Sequence, residues 1–439
     1  MPSQPAAATS AIPGAWACVA LLWPVALLNY LDRQVLSTLQ PAIGADITAV
    51  LDSQNFGRLM GIFLWIYGVM SPISGLVADR FNRKHLIVAS LAVWSLVTLL
   101  MGHAQNFEQL YWMRALMGVS EALYIPAGLA LIADYHQGHT RSLAVGLHMT
   151  GLYCGQALGG FGALAADELS WRTTFQWLGF AGVGYSIVLA FLLKERKAPA
   201  AAEGFLSALG GMRKSLWALF SIGAFFIILF YFAAPSAPGW VMKNWLPTLF
   251  AKMNPDTVRA LLPVARDLTD AEIASRVAKP LSTIVIAASG FVGVIGGGIL
   301  ADRWSRRSVR GRIFTGAIGL FATVPALLAL GYGQSPALAL AAAVLYGVGF
   351  GLFDANNMPV LCQFVPPRLR AAAYGFMNLV GVSVGALSTE VIGGMDKAGK
   401  LAQGFGWLAL PVVLAVILVL FLRPVSLNRT DEETRPTPA

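Results

Sequence analysis

The sequence predicts an all-α membrane protein with twelve transmembrane helices in two six-helix parallel repeats. Three observations lead there. Charged residues make up 12% and apolar residues 56% of the 439 positions, about half the charge of an average soluble domain, and the mean hydropathy is +0.65. Twelve apolar segments come near or exceed the roughly 20 residues that cross a bilayer. The two halves of the chain also repeat one another.

The apolar segments fall at 15–38, 56–78, 86–103, 107–134, 142–165 and 172–193, then at 216–249, 281–301, 312–331, 335–363, 371–393 and 403–422. The first lacks a basic leader and a clear cleavage site, so it reads as a retained span. Between the halves lies the charged, Ala/Gly/Pro-containing "KERKAPAAAEGFLSALGGMRKS". The plan is therefore an N-terminal tail (1–14), a six-helix half (15–194), a cytoplasmic linker (195–214), a second half (215–423) and a disordered tail (424–439). The loop "AKMNPDTVRALLPVARDLTDAEIASRVAKP" after the seventh segment mixes both signs and is expected to hold a short amphipathic helix. Span seven carries Pro235, Pro238 and Gly239, which are expected to break it. Cys18, Cys154 and Cys362 sit in separate predicted spans, where their thiols are expected to be buried, and suggest neither a disulfide framework nor a metal site.

Basic residues orient the chain. Arg80, Arg83, Lys84, Arg141, Arg303, Arg306, Arg307, Arg310 and Arg370 all fall on loops of one side. Such loops are cytoplasmic, which places both termini inside a plasma (inner) membrane. The same rule accounts for the net charge of +9 without invoking nucleic acid. "SGLVADRFNRK" (74–84) recurs as "GGILADRWSRR" (297–307). The stretch from Met117 recurs from Tyr346, pairing Gly118 with Gly347, Arg141 with Arg370 and Gly146 with Gly375 at one constant offset. Parallel six-span repeats are a transporter architecture, with the site at midplane between the halves.

Gly75-x-x-x-Asp79-Arg80-x-x-Arg83-Lys84 and its echo Gly298-x-x-x-Asp302-Arg303-x-x-Arg306-Arg307 resemble the loop signature of the major facilitator superfamily, and the resemblance covers essentially the whole chain. Within it, "NYLDR", "WIYGVMSPISGLVADR", "RALMGVSEALYIPA" and "GFMNLVG" resemble the organic anion:cation symporters, which carry sugar acids and other carboxylates with protons. The first and third also resemble spinster-like lipid transporters. The resemblance implies substrate contact at Arg33 and Tyr67 and proton coupling at Asp32 and Glu121. It also implies a cytoplasmic brace built from Gly75, Asp79, Arg80, Arg83, Asp302, Arg303 and Arg306, with Arg141 and Arg370 beside it.

The residues themselves support part of this. Charges inside a bilayer cost at least about 2.5–3.5 kcal/mol each and mark ion or substrate pathways by default. Asp32 and Arg33 are helix neighbours about 100° apart, with Asn29 on that face; they read either as a self-satisfied ion pair or as a proton site beside a bidentate carboxylate anchor. Arg114 and Glu121 lie two turns apart with Gly118 between them. They read as part of the coupling site or as a permanent bridge, Arg114–Glu121 or Arg33–Glu121. Lys243 is either a second anion anchor or a snorkelling lysine; Asn244 follows it. Asp354, Asn356 and Asn357 in span ten, Asn378 in span eleven and Gln156 in span five complete the candidates. The small residues of "GQALGGFGALAA" read either as close helix packing or as an antiporter-type signature.

No P-loop pattern and no HExxH cluster occurs, so neither ATP nor a metal-dependent reaction is expected, and no cofactor. The expected function is proton-coupled symport of a small organic anion, a sugar acid, hexuronate or sialic-acid-like monocarboxylate. The partners are that anion, protons and the bilayer, and the carrier acts as a monomer. The alternatives are a spinster-like lipid or lysolipid carrier and a non-transporting membrane sensor on the same fold.

Overall fold

The computed structural model describes residues 13–78, 80–136, 140–195, 205–366 and 369–424, and among them there is no strand. Among the described residues, eleven helices are long and apolar enough to cross a membrane. In chain order they take places one to four (Ala15–Leu36, Ser53–Ala78, Arg83–Met101, Phe107–Tyr135) and six (Trp171–Leu192). In the second half they take places seven to twelve (Gly223–Ala251, Asp270–Ser305, Gly311–Tyr332, Pro336–Leu361, Ala372–Lys397, Leu401–Leu420). The fifth place is filled by Arg141–Gly159, prolonged by Gly162–Leu169. Its glycines, His148 and Gln156 hold its hydropathy down.

Polar side chains cap the starts of three spans. Asn82, Asn106 and Ser170 accept from the backbone N–H groups of His85, Gln109 and Thr173 and open spans three, four and six. These bonds satisfy donors that a helix start leaves without partners. The loop after span seven does carry a short helix, Pro255–Leu261, and then a capping box of Thr269 and Glu272.

Three expectations need correction. Span seven is one continuous helix through Pro235, Pro238 and Pro247. A proline removes only its own N–H from the ladder, and packing against neighbouring spans holds the rest in register. Span seven also starts at Gly223, not near 216, because a separate helix, Phe205–Phe220, straddles the expected linker boundary. Finally, Cys154 is exposed on span five; all three thiols are free. The two fourth spans of the halves, in contrast, are both interrupted: span four at Leu123 and span ten at Ala355–Asn356. The tails at 1–12 and 425–439 lie outside the described residues.

Glycine decides how closely helices approach. A Cβ at Gly155 would stand 2.1 Å from the Leu27 carbonyl oxygen, and one at Gly351 would stand 2.4 Å from that of Gly290. Spans one and five, and spans eight and ten, therefore pack backbone to backbone, as the small-residue stretch suggests. Across the halves, span two runs along span eleven and span five along span eight.

The halves are clasped at the end opposite the basic loops. There Lys397 pairs with Asp52 at 2.6 Å and Arg276 with Glu168 at 2.9 Å. Ser53 donates to Asp396 at 2.6 Å, and Asp396 is also paired with Lys252. Lys279 Nζ donates to the Thr38 carbonyl at 2.7 Å, Gln34 Nε2 to that of Lys243 at 2.7 Å, and Thr283 Oγ1 to that of Ala157 at 3.0 Å. Deeper, Trp65 Nε1 donates to Glu390 at 2.9 Å. At the basic end, the contacts of the motif residues stay within their own half. Arg83 pairs with Asp134, Arg80 caps the Leu76 carbonyl at 3.0 Å, and Asp302 pairs with Arg312 at 3.1 Å. Arg370 donates to the carbonyls of Val365 and Cys362 at 3.1 and 3.0 Å. Arg303, Arg306 and Arg141 make no hydrogen bond or ion pair among the described residues, a Cβ on Gly75 would meet nothing within 4 Å, and Asp79 lies outside those residues.

Candidate central cavity

A cavity of about 570 Å³ lies between the halves. Spans one, two, four and five line it from one side and spans seven, ten and eleven from the other. It reaches from Arg33 and Lys243 to Met358 and Tyr374, near the basic ends of spans ten and eleven.

Arg33 projects into this space and Asp32 away from it, the divergence that helix geometry demands. Asp32 is buried beside span three, where Thr98 Oγ1 approaches it at 3.5 Å. No ion pair joins the two neighbours. Arg33 instead donates from Nε to Glu121 Oε2 at 2.5 Å, and Asn29 Nδ2 donates to the same oxygen at 3.0 Å. Of the bridges the sequence allowed, the structure forms Arg33–Glu121. Arg114 turns aside: its guanidinium lies 4.7 Å from the Phe63 ring centre and Nη1 contacts Met117 Sδ at 3.2 Å. Two carboxyl groups and two guanidiniums thus sit close together, away from solvent.

Aromatic rings hold Arg33. Its guanidinium carbon stands 5.1, 4.9 and 4.7 Å from the ring centres of Tyr30, Phe63 and Tyr67, and Tyr67 stacks on Phe63 at 5.8 Å. Such contacts contribute about 0.5–2 kcal/mol each, more when desolvated. Glu121 Oε1 and Arg33 Nη2 are buried with no hydrogen-bond partner among the described residues. Part of the fork is therefore left over for another acceptor.

On the opposite wall, Lys243 faces the cavity and does not snorkel. Its Nζ lies 4.6 Å from the Trp240 ring centre and 5.3 Å from that of Tyr30, and it forms no ion pair among the described residues. Asp354 and Asn357 share the lining, joined by a 3.1 Å hydrogen bond. Asn378 lines it too and donates to Ser71 across the halves at 2.5 Å. Asp354 is the one acidic residue in the lining of this cavity.

Two candidates are corrected by the structure. Asn356 does not face the cavity: it is buried and donates to the carbonyls of Leu352 at 2.9 Å and Gly297 at 3.5 Å. The interruption of span ten turns the Asn356 N–H to the Phe353 carbonyl, which leaves the Leu352 carbonyl without its helical donor, and the amide is used on it. Asn244 likewise points elsewhere, donating to Thr389 at 3.0 Å on span eleven. Gln156 opens on a smaller adjoining chamber rather than on the main cavity. Sequence reasoning missed Tyr30, Trp240 and Tyr374 in the lining. Tyr30 had a signal, three residues before Arg33 and hence on its face; Trp240 is one of many aromatic residues in span seven, and neither it nor Tyr374 carries one.

Comparison with known proteins fits this architecture. The family model described as Major Facilitator Superfamily matches residues 22–389. An MFS-type efflux pump of Mycolicibacterium smegmatis is 29% identical over 417 residues, covering 92% of this chain and 90% of that protein. A hexuronate transporter of Bacillus subtilis is 24% identical over 442 residues, covering 93% and 94%. A crystal structure of a bacterial homologue of the human lysosomal transporter spinster, inward-facing and unoccupied, superposes with a TM-score of 0.72 at 18% identity, covering 97% of this chain and 99% of that one. With the family model spanning most of the chain and the twelve-place, two-half architecture in agreement, this protein belongs to the Major Facilitator Superfamily of membrane transporters.

Proposed function

We propose that this transporter carries a small organic monocarboxylate together with protons, by alternating access. The basic end and both termini face the cytoplasm of a plasma (inner) membrane, and the carrier acts as a monomer. The observation that carries the reading is the pair of cations on one cavity: Arg33 and Lys243 face it from opposite halves, against a single lining carboxylate, Asp354. A substrate anion that touches both would pull the halves together. Tyr67, Asn357 and Asn378 offer hydrogen bonds to hydroxyl groups, which suits a sugar acid, and the hexuronate transporter relative supports that class.

Proton coupling is assigned to Glu121, with Asp32, Arg114 and Asp354 as the remaining buried charges. Glu121 occupies Arg33 Nε in this state. A proton on Glu121 removes its charge and releases the guanidinium for a substrate carboxylate, which binds Arg as a planar fork. Substrate and proton would then load together.

The test is uptake into proteoliposomes from a panel of labelled carboxylates with an imposed pH gradient. Saturable accumulation of one acid, driven by external acidity and abolished by a protonophore, is the expected result. Saturable binding without flux would favour a sensor, and transport of a lysolipid with no carboxylate uptake would favour a spinster-like carrier; either outcome removes the reading.

A further inference from the structure

A separate helix, Phe205–Phe220, leads into span seven from the basic end. Its last turn is fixed to the bundle. Leu219 is fully buried, and the Phe220 ring stands 5.3 Å from that of Phe376 on span eleven and 5.9 Å from that of Phe226 on span seven. The apolar run of span seven starts at Gly223, within a turn of this anchor. The end of the helix is therefore held at the level where spans seven and eleven enter the bilayer.

One turn before the anchor, Trp217 is 82% exposed. Arg213 and Lys214 precede it by four and three residues, so the three share one flank of the helix. Leu219, two residues past Trp217 and so about 200° round the axis, faces the bundle from the other side. Arg213 and Lys214 are exposed, and neither forms an ion pair or a hydrogen bond among the described residues. The roles assigned to the cavity residues use none of the three.

Each feature alone would be unremarked. A bare indole is costly in water, and two free cations are costly in lipid. Together, at the depth where a span begins, they match one environment. The headgroup boundary favours a tryptophan ring, and negative headgroups favour basic side chains that reach them from an interfacial helix. Each such side chain contributes about a fivefold preference, or about 1 kcal/mol, near an anionic surface.

We propose that the flank formed by Arg213, Lys214 and Trp217 docks on anionic phospholipid of the facing leaflet, with the indole among the upper acyl carbons and the two cations on phosphate groups. The contact ties the basic ends of spans seven and eleven, both of which line the central cavity, to the lipid surface. The orientation proposed above puts that leaflet on the cytoplasmic side, where anionic lipid is concentrated.

The experiment places the purified full-length carrier in phosphatidylcholine vesicles that contain an increasing fraction of brominated phosphatidylglycerol or brominated phosphatidylcholine. Bromine on the acyl chains quenches tryptophan fluorescence on contact, and the difference between wild type and Trp217→Phe isolates Trp217 from the other tryptophans. In low salt, half of the Trp217 quenching should be reached at a fraction of brominated phosphatidylglycerol at least fivefold below that of brominated phosphatidylcholine. Arg213→Gln combined with Lys214→Gln should bring the two lipids level, Arg213→Lys should keep the preference, and high salt should weaken it. Equal quenching by both lipids in the wild type, or a preference that survives the double Gln variant, would overturn the anionic recognition. Quenching by neither would leave this flank to water or to another protein and overturn the docking altogether. No substrate enters these measurements, so their failure and that of the monocarboxylate reading are told apart.

Discussion

Replacing Glu121 by Gln separates coupling from scaffolding. Glu121 is fully buried, and its Oε2 accepts from Arg33 at 2.5 Å and from Asn29 at 3.0 Å. The amide oxygen of Gln keeps an acceptor in that place but loses the charge. Hydrogen bonds to charged groups contribute about 1.5–3 kcal/mol and neutral ones about 0.5–1.5, so the change costs about 1–2 kcal/mol. The three rings around Arg33 remain and still shield its charge. Glu121→Ala is harsher: it strips the acceptor and leaves a buried guanidinium unpaired, at about 3–5 kcal/mol. Stability in detergent should therefore rank wild type, then Gln, then Ala. In proteoliposomes the Gln variant, fixed in the neutral form, should still exchange labelled for unlabelled substrate, because exchange needs no net proton movement. It should fail to concentrate substrate when a pH gradient is imposed. Intact proton-driven accumulation by a well-folded Glu121→Gln protein would refute the assignment and move coupling to Asp32 or Asp354. Loss of exchange together with accumulation would make the bridge structural.

Other tests follow from the same geometry. Arg33→Lys keeps the charge but loses the planar fork that meets Glu121 and the rings; uptake should drop at least tenfold, and wild-type rates in this variant would exclude a fork-type carboxylate contact. Trp65→Phe removes the donor to Glu390 and leaves a carboxylate oxygen unsatisfied at the span two–eleven seam. At about 1–3 kcal/mol the far-end-closed population should fall, read as faster thiol labelling of a cysteine placed at Thr389, a buried position of similar size facing Gly57 across the seam; unchanged labelling would show that this bond does not hold the closure. The Lys397 ammonium holds the Asp52 carboxyl below its usual value. A depressed acid contributes above its unfolded value and loses that contribution as pH falls through the folded one. The Asp52–Lys397 clasp should therefore be indifferent to pH between about 5 and 8 and loosen only below about 4, monitored by the same labelling, and Asp52→Asn should remove the acid response.

Much of this protein is written locally. Hydropathy and asparagine caps mark the spans, the repeated Asp-Arg loops mark two equivalent halves, and an arginine beside an aspartate in an apolar helix marks the site. Helix periodicity was enough to separate Asp32 from Arg33; it also held a signal for Tyr30, three residues before the arginine, that the sequence reading missed. What the periodicity of one helix cannot state is which neighbour each face meets. Glu121 lies on a face shared with Arg114, yet its partner comes from span one, since the approach of spans one and four brings Arg33 within 2.5 Å. Asn356 and Asn357 are adjacent amides in one motif, and the interruption of span ten sends the first to backbone carbonyls and leaves the second on the cavity. The prolines of span seven look like breaks in sequence and are absorbed by packing. Glu390 gives no local sign of a role. Its contact with Trp65 on span two joins segments hundreds of residues apart and exists only once the two halves have come together.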